Sequence, residues 1–296
     1  MTRAPLVARR VEALLGTAVI STASVAGGDI STATRMRLND GSTAFAKTLP
    51  RPPRGFFSAE AAGLRWLGEV PDGVPVPPVL GVDDDCLVLR WVEPGRPQQD
   101  AATEFGHRLA RTHAAGARTF GWSGLADPTS GTQPDGFIGK LPLPNRPAAS
   151  WAEFYATRRV LPYLKLGLDR GHILPEDAQA VERLVPRLGD LVPDEPPARI
   201  HGDLWNGNCL WAAEGGVHVV DPAAHGGHRE TDLAMLALFG LPYLARVTAA
   251  YTETSPLADG WEERQPLHQL FPLLVHACMF GGGYGRRAGD IGRVFA

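Results

Sequence analysis

The chain is poor in cysteine: three thiols, Cys86, Cys209 and Cys278, stand far apart in 296 residues and form no Cys-x-x-Cys pair. That excludes the stapled framework of a small secreted domain and leaves three reduced, buried thiols of a cytoplasmic protein as the expectation. Long apolar runs are missing as well. The stretches between Arg3, Arg9 and Arg10 are too short for a signal-peptide core or a membrane span. Nor does charge of one sign dominate, since 29 lysines and arginines face 32 aspartates and glutamates for a formal net charge of −3. Neither nucleic acid nor an anionic membrane is therefore expected as a principal partner, which leaves a small molecule. There is no internal repeat, and no Gly-Lys-Ser/Thr that would complete a Walker A loop.

What is present divides into two parts. After a short amphipathic start, residues 17–25 and 32–38 are rich in Val, Ile, Thr and Ser around Gly27-Gly28-Asp29, which predicts two strands and a glycine turn. Asn39-Asp40-Gly41 turns the chain into a third strand over 43–49 that contains Lys47. Phe57, Ala61, Leu64 and Leu67 recur at helical spacing, so one main helix over 56–69 lies on that sheet. Strands over 79–82 and 86–92 follow, and from residue 100 onward helical periodicity dominates, at 100–115, 150–169, 176–191, 230–238, 241–253 and 265–280. The expected fold class is α+β: a small β-rich N-terminal lobe over 1–92 and a larger, mostly helical lobe over 93–296. The Gly- and Pro-rich stretch from Gly121 to Pro147 reads as an ordered excursion that serves the substrate.

The string His201-Gly202-Asp203-Leu204-Trp205-Asn206-Gly207-Asn208, followed by Asp221 before Pro222, carries the chemistry. Magnesium-dependent phosphoryl transfer needs an acidic group to orient and deprotonate a hydroxyl, and an amide oxygen with a second carboxylate to hold Mg²⁺ against a nucleotide's phosphates. Asp203, Asn208 and Asp221 fit those roles in that order. A hairpin turning at Glu214-Gly215-Gly216 would pair position 208 with 221 and deliver both metal ligands side by side. The competing reading, three turn-forming polar residues, explains each separately but not the set.

Other positions are less specific. Gly27 and Gly28 suit backbone amides laid over phosphates, and equally a plain hairpin turn. Lys47, central in its strand, has Glu60 on the next helix as a partner, the arrangement that points a lysine at the α- and β-phosphates; an exposed strand charge is the alternative. Arg90, Trp91 and Val92 end the β-rich lobe where an adenine ring would bond to the backbone, or simply join the lobes. Trp205 borders the base and suits a substrate-stacking wall. His225 and His228 lack a third ligand at a convincing spacing, which discounts zinc. Asp232 suits a capping or orienting role near the 201–208 loop, and His113 a packed, hydrogen-bonded one.

With these residues placed, the chain resembles the fructosamine kinase (ketosamine 3-kinase) family of the protein-kinase-like, aminoglycoside-phosphotransferase-like group. The resemblance rests on His201 to Asn208, Asp221-Pro222-Ala223, Gly227-His228-Arg229-Glu230-Thr231-Asp232-Leu233-Ala234-Met235, Leu238-Phe239-Gly240, His276 and Phe280 to Tyr284, with Gly27-Gly28-Asp29-Ile30, Lys47 and Ala59 to Leu64 in the N-terminal lobe. It implies a two-lobe kinase-like fold and use of ATP and Mg²⁺ to phosphorylate the sugar 3-hydroxyl of a ketosamine, free or protein-bound, as a deglycation step. It further implies Asp203 as base, Asn208 and Asp221 as metal ligands, Lys47 and Glu60 as the phosphate-positioning pair, and Arg90 to Val92 as the adenine hinge. A monomer is expected. Some relatives carry a cysteine in the glycine-rich loop; here Gly-Gly-Asp-Ile-Ser has none, so redox control through that loop is not expected. The alternatives are a kinase for another hydroxylated amine, of aminoglycoside or choline type, which an acidic acceptor pocket would favour, or a catalytically silent nucleotide-binding module, which the intact Lys47, Asp203, Asn208 and Asp221 set opposes.

Overall fold

A computed structural model of the chain describes residues 3–26, 30–124 and 134–296. Helix α1 (Arg3–Leu15) precedes strands β1 (Val19–Ser24), β2 (Thr32–Leu38) and β3 (Thr43–Thr48), helix α2 (Phe56–Gly68), and strands β4 (Val79–Val82) and β5 (Cys86–Arg90). The five strands form one antiparallel sheet in the order β1-β2-β3-β5-β4. Period-2 alternation decides what each face receives. Ala44, Ala46, Cys86 and Val88 turn towards Val11 of α1, while Phe45, Leu87 and Leu89 turn towards Phe57, Ala61 and Leu64 of α2. Lys47, opposite Leu87 in the register, is only 6% exposed. The β5 strand stops at Arg90, so Trp91 and Val92 lie past it rather than within it.

Helix α3 (Gln99–Ala114) opens the second part. It is followed by the hairpin β6 (Gly136–Ile138) and β7 (Leu141–Leu143), helices α4 (Trp151–Phe154), α5 (Leu161–Asp169), α6 (Pro175–Leu184) and α7 (Leu188–Leu191), and strands β8 (Ala198–Ile200), β9 (Cys209–Trp211), β10 (Val217–Val219) and β11 (His225–Gly227). Helices α8 (Glu230–Phe239), α9 (Leu244–Thr254), α10 (Trp261–Phe280) and α11 (Tyr284–Phe295) complete it. The helix expected over 150–169 is interrupted by a π-helical turn, Tyr155–Val160. Strands β6, β7, β8 and β11 and helix α11 were not foreseen; the strands are three residues each, too short for periodicity to show. Two small ladders frame the site: β8 pairs with β11 and β9 with β10. Residues 201–208 therefore run from one ladder to the other, and Asp221 lies on the return path. All three cysteines are buried and free. Among the described residues no helix is long and apolar enough to cross a membrane.

Candidate active site

A cleft of about 790 Å³ lies between the sheet and the helical part, lined by Lys47, Glu60, Arg90, Trp91, Val92, Asp203, Trp205, Asn208 and Asp221 among others. Gly27 and Gly28 lie outside the described residues. Because alternation puts Lys47 on the α2 face, its Nζ meets Glu60 at 2.7 and 2.8 Å and also Asp221 at 2.9 Å. Burial opposes the ammonium, but the two carboxylates outweigh it and raise the pKa of Lys47 above its ordinary value. Burial and the nearby Asp221 push Glu60 up to about 7, against the pull of Lys47. Two carboxylates thus share one ammonium.

Asp203 sits on the loop between the ladders, and Asn208 Nδ2 donates to its backbone carbonyl at 2.8 Å and to its Oδ2 at 3.2 Å. Burial and then Asp221 raise the Asp203 pKa to about 7. The loop is held from behind. Asp232, buried on the first turn of α8, accepts from the amides of His201 at 2.7 Å and Gly202 at 2.9 Å, while its Oδ2 lies 3.2 Å from His113 Nε2. Burial would raise Asp232, but the His113 hydrogen bond and the neighbouring His113 and His201 rings bring it below the ordinary carboxylate value. His201 Nε2 donates to the Val220 carbonyl at 2.9 Å and its Nδ1 accepts from the Asp203 amide at 3.2 Å, tying the loop to the strand before Asp221. Gly202 has φ 80°, and a Cβ there would lie 2.3 Å from the Ala223 carbonyl, so only glycine fits beside Asp203. His113 and Asp232 are thus packed and orienting groups as their sequence context suggested.

The expected 208/221 pairing is off by one residue. The register runs Cys209↔Val219 and Trp211↔Val217, and the Val220 amide donates to the Asn208 carbonyl at 3.0 Å, so Asn208 faces Val220. The connection closes about position 214 with the Ala212 amide on the Gly216 carbonyl, an odd-numbered loop where an even one was assumed. Asp221 reaches the cleft through a left-handed backbone, φ 55°, which aspartate tolerates better than most side chains.

The donor set fits a hard divalent cation. The amide nitrogen of Asn208 is taken up by Asp203, which leaves its oxygen, the atom Mg²⁺ accepts, for a ligand. Three carboxylates, Glu60, Asp203 and Asp221, face one ammonium, a formal charge of −2. At the end where an adenine is expected, the Arg90 amide donates to the Pro78 carbonyl and the Trp91 amide to the Thr43 carbonyl, so neither is available to a base. Val92, whose amide bonds to no backbone carbonyl among the described residues, is the remaining donor of the three. Val25, Ala33 and Phe45 from the sheet and Leu210 and Val220 from the β9–β10 ladder supply apolar walls.

At the other end Trp205 lines the cleft and is joined by groups the sequence did not reveal: His276, Met279 and Phe280 from the end of α10, and Phe137 to Gly139 from the β6–β7 hairpin. This hairpin belongs to the 121–147 excursion, whose residues 125–133 lie outside the described ones. Phe137 packs on Phe56 with ring centroids 5.2 Å apart, and a Cβ on Gly139 would meet Met279 Sδ at 2.7 Å and Ile30 at 3.1 Å, so the hairpin touches both lobes. It is anchored by Arg159, a buried side chain on the π-helical turn that donates to the Pro144 carbonyl at 2.5 Å and Asn145 Oδ1 at 2.6 Å and lies over the Phe154 ring. Nothing local in the sequence marks these contacts.

His228 does acquire companions, Glu230 and His268, with donor atoms all within 4.8 Å of one another. The bonding there opposes a metal. The Glu230 amide donates to His228 Nδ1 at 3.2 Å, so the hydrogen of the neutral ring is on Nε2, and Arg264 already holds the Glu230 carboxylate at 2.6 and 3.2 Å. Burial and the adjacent His268 lower His228 to about 3, which keeps it uncharged.

The architecture, a five-stranded sheet over a helical part with carboxylates and one lysine in the cleft between them, is that of the protein-kinase-like phosphotransferases. An ADP-bound aminoglycoside phosphotransferase superimposes with a TM-score of 0.61 over 97% of this chain and 96% of its own, at 12% identity, a likeness of fold alone. The fructosamine kinase family profile matches residues 4–293, and the chain belongs to that family. It is 40% identical over 258 residues to a candidate ketoamine kinase of Thermus thermophilus, covering 87% of each chain. A solved structure of a candidate fructosamine-3-kinase from Thermobifida fusca is 50% identical, with a TM-score of 0.88 and 97% of each chain covered. The chain is therefore a member of a kinase family.

Proposed function

We propose that the protein transfers the γ-phosphoryl group of ATP to the 3-hydroxyl of a ketosamine, a ribulosamine or fructosamine adduct, so that the phosphorylated sugar is released from its amine in deglycation. The observation that carries the choice of acceptor is the wall beyond Asp203. Among the described lining residues, the only carboxylates are Glu60, Asp203 and Asp221, all gathered at the phosphate end, while Trp205, Val275, His276, Met279, Phe280 and Ile138 line the rest. An aminoglycoside carries several ammonium groups that would need carboxylates of their own; a sugar with a single amine does not.

In this reading Asp203 accepts the proton of the attacking hydroxyl as its oxygen bonds to phosphorus and the bond to the β-phosphate oxygen breaks. The Asp203 carboxyl, raised to about 7 in the unliganded cleft, is suited to taking that proton. Asn208 keeps the carboxylate aimed, and Lys47, presented by Glu60, holds the nonreacting phosphates. Asn208 Oδ1 and Asp221 would hold Mg²⁺, which offsets the charge developing on the transferred group. Val92 receives the adenine edge.

The test is ATP consumption, with product identified by phosphorus NMR, on ribulosyl-lysine, fructosyl-lysine, a set of aminoglycosides and choline. Phosphorylation of the ketosamines at the 3-hydroxyl is expected. Turnover confined to aminoglycosides or choline refutes the reading, and nucleotide binding without turnover of any acceptor returns the chain to a silent binding module.

A further inference from the structure

Among the described residues few large apolar side chains stand in water, and three of them gather about Trp205, on the loop of Asp203: Trp205 is 37% exposed, Phe239 36% and Phe280 54%. They are not scattered. Trp205 meets Phe239 edge-on with centroids 5.9 Å apart, Phe239 meets His276 at 5.1 Å, and His276 meets Phe280 at 5.6 Å, a continuous row of rings from three separate segments of the chain. A contiguous exposed aromatic surface at the mouth of a cleft calls for an occupant, since solvation alone would not retain it.

Resting on the ketosamine reading, we propose that this aromatic row, which ends at the most exposed of its rings, Phe280, binds the amine substituent of the acceptor, receiving a cationic nitrogen and the apolar chain it carries. Bond geometry points there. In a 1-amino-1-deoxyketose four bonds separate the nitrogen from the 3-oxygen, a span of at most about 5 Å. With that oxygen within hydrogen-bond reach of Asp203, the nitrogen lies within about 8 Å of the carboxylate, and its substituent must leave the cleft from that spot. Trp205 is two residues from Asp203, and Trp205, His276 and Phe280 line this end of the cleft.

Charge agrees with the assignment. A secondary alkylamine is protonated at neutral pH, no carboxylate other than those of the catalytic cluster lines the cleft among the described residues, and arene faces attract a cation at short range. Burial lowers the pKa of His276, against the hydrogen bond that its Nδ1 donates to the Pro272 carbonyl at 2.7 Å, so the uncharged ring is the favoured neighbour of that cation. The row thereby performs with π faces what a polycation site performs with acids.

The experiment compares two acceptors that share the sugar, 1-amino-1-deoxyfructose and its N-butyl derivative, with wild type, Phe280→Ala and Phe280→Leu. Wild type is expected to favour the butyl compound in kcat/KM, and Phe280→Ala to lose roughly three- to tenfold on that compound through KM and less on the unsubstituted sugar amine, which keeps the cation but lacks the chain. Phe280→Leu, which keeps apolar bulk without a π face, should recover only part of the preference. An unchanged ratio in Phe280→Ala, or an equal fall on both acceptors, overturns the assignment; full recovery by leucine overturns its cationic half. Wild-type turnover of neither compound refutes the ketosamine reading itself, and this inference with it.

Discussion

Replacing Lys47 by methionine separates what the buried charges do for folding from what they do for chemistry. The ammonium touches Glu60 and Asp221, and its side chain and that of Glu60 are 8% and 11% exposed, so solvent screens little of the effect. With the lysine gone, Glu60 faces burial and Asp221 without a counter-ion, and it stays protonated at higher pH. In the wild type Glu60 loses its proton at about 7. A carboxyl raised in the fold binds a proton that the unfolded chain does not, so its contribution to stability falls as pH rises until the folded pKa is passed. Below pH 7 both proteins hold that proton and their difference is flat; above it only the variant goes on losing stability, by about 1.4 kcal/mol per pH unit. Between pH 7 and 8.5 the gap in unfolding free energy, measured by urea denaturation, should therefore widen by about 2 kcal/mol. Kinase activity should be lost at every pH. A gap independent of pH, or one that narrows towards pH 8.5, would show that Glu60 is not the group left without a partner.

Asp203→Asn preserves size but removes the proton acceptor, and should lower kcat on the preferred acceptor by about 10²- to 10⁴-fold while ATP affinity by calorimetry is retained. Asp221→Asn should leave the melting temperature nearly unchanged, because asparagine also tolerates φ 55°, whereas Asp221→Ala should cost about 1 kcal/mol; both should raise the Mg²⁺ concentration needed for half-maximal rate. Arg159→Leu removes the hydrogen bonds to the Pro144 carbonyl and to Asn145 Oδ1, for an expected loss of about 2–4 kcal/mol, and loosens the hairpin enough to raise the acceptor KM more than the ATP KM. Equal changes in the two KM values would sink the anchoring role of that arginine.

Much of this was legible in the residues. The alternation of Ala44, Phe45, Ala46 and Lys47 announces a strand with one face towards a helix, and the 56–69 periodicity supplies that helix with Glu60 on it, so the Lys47–Glu60 pair follows from two local patterns. Asp203, Asn208 and Asp221 were legible as a chemical set, but their register was not, because a single residue more or less in the Ala213–Gly215 connection shifts every partner by one. The acceptor wall was the least legible. Phe239, His276 and Phe280 become neighbours only when α8 and α10 pack, and Arg159 reaches the hairpin from an irregular helical turn that no period describes.

Asp232 grips the His201 and Gly202 amides from the first turn of α8, so the position of Asp203, the proposed base, is set by a helix whose first seven residues are buried. Apart from Trp205, the rings proposed to face the acceptor project from the ends of α8 and α10. The two functions consequently draw on opposite ends of α8, the buried first turn for reactivity and the exposed last residue for selectivity, with Trp205 on the loop of Asp203 itself. Divergence towards new sugar amines can proceed by exchanging the exposed rings, one substitution at a time, without disturbing the aspartate that every such acceptor must meet.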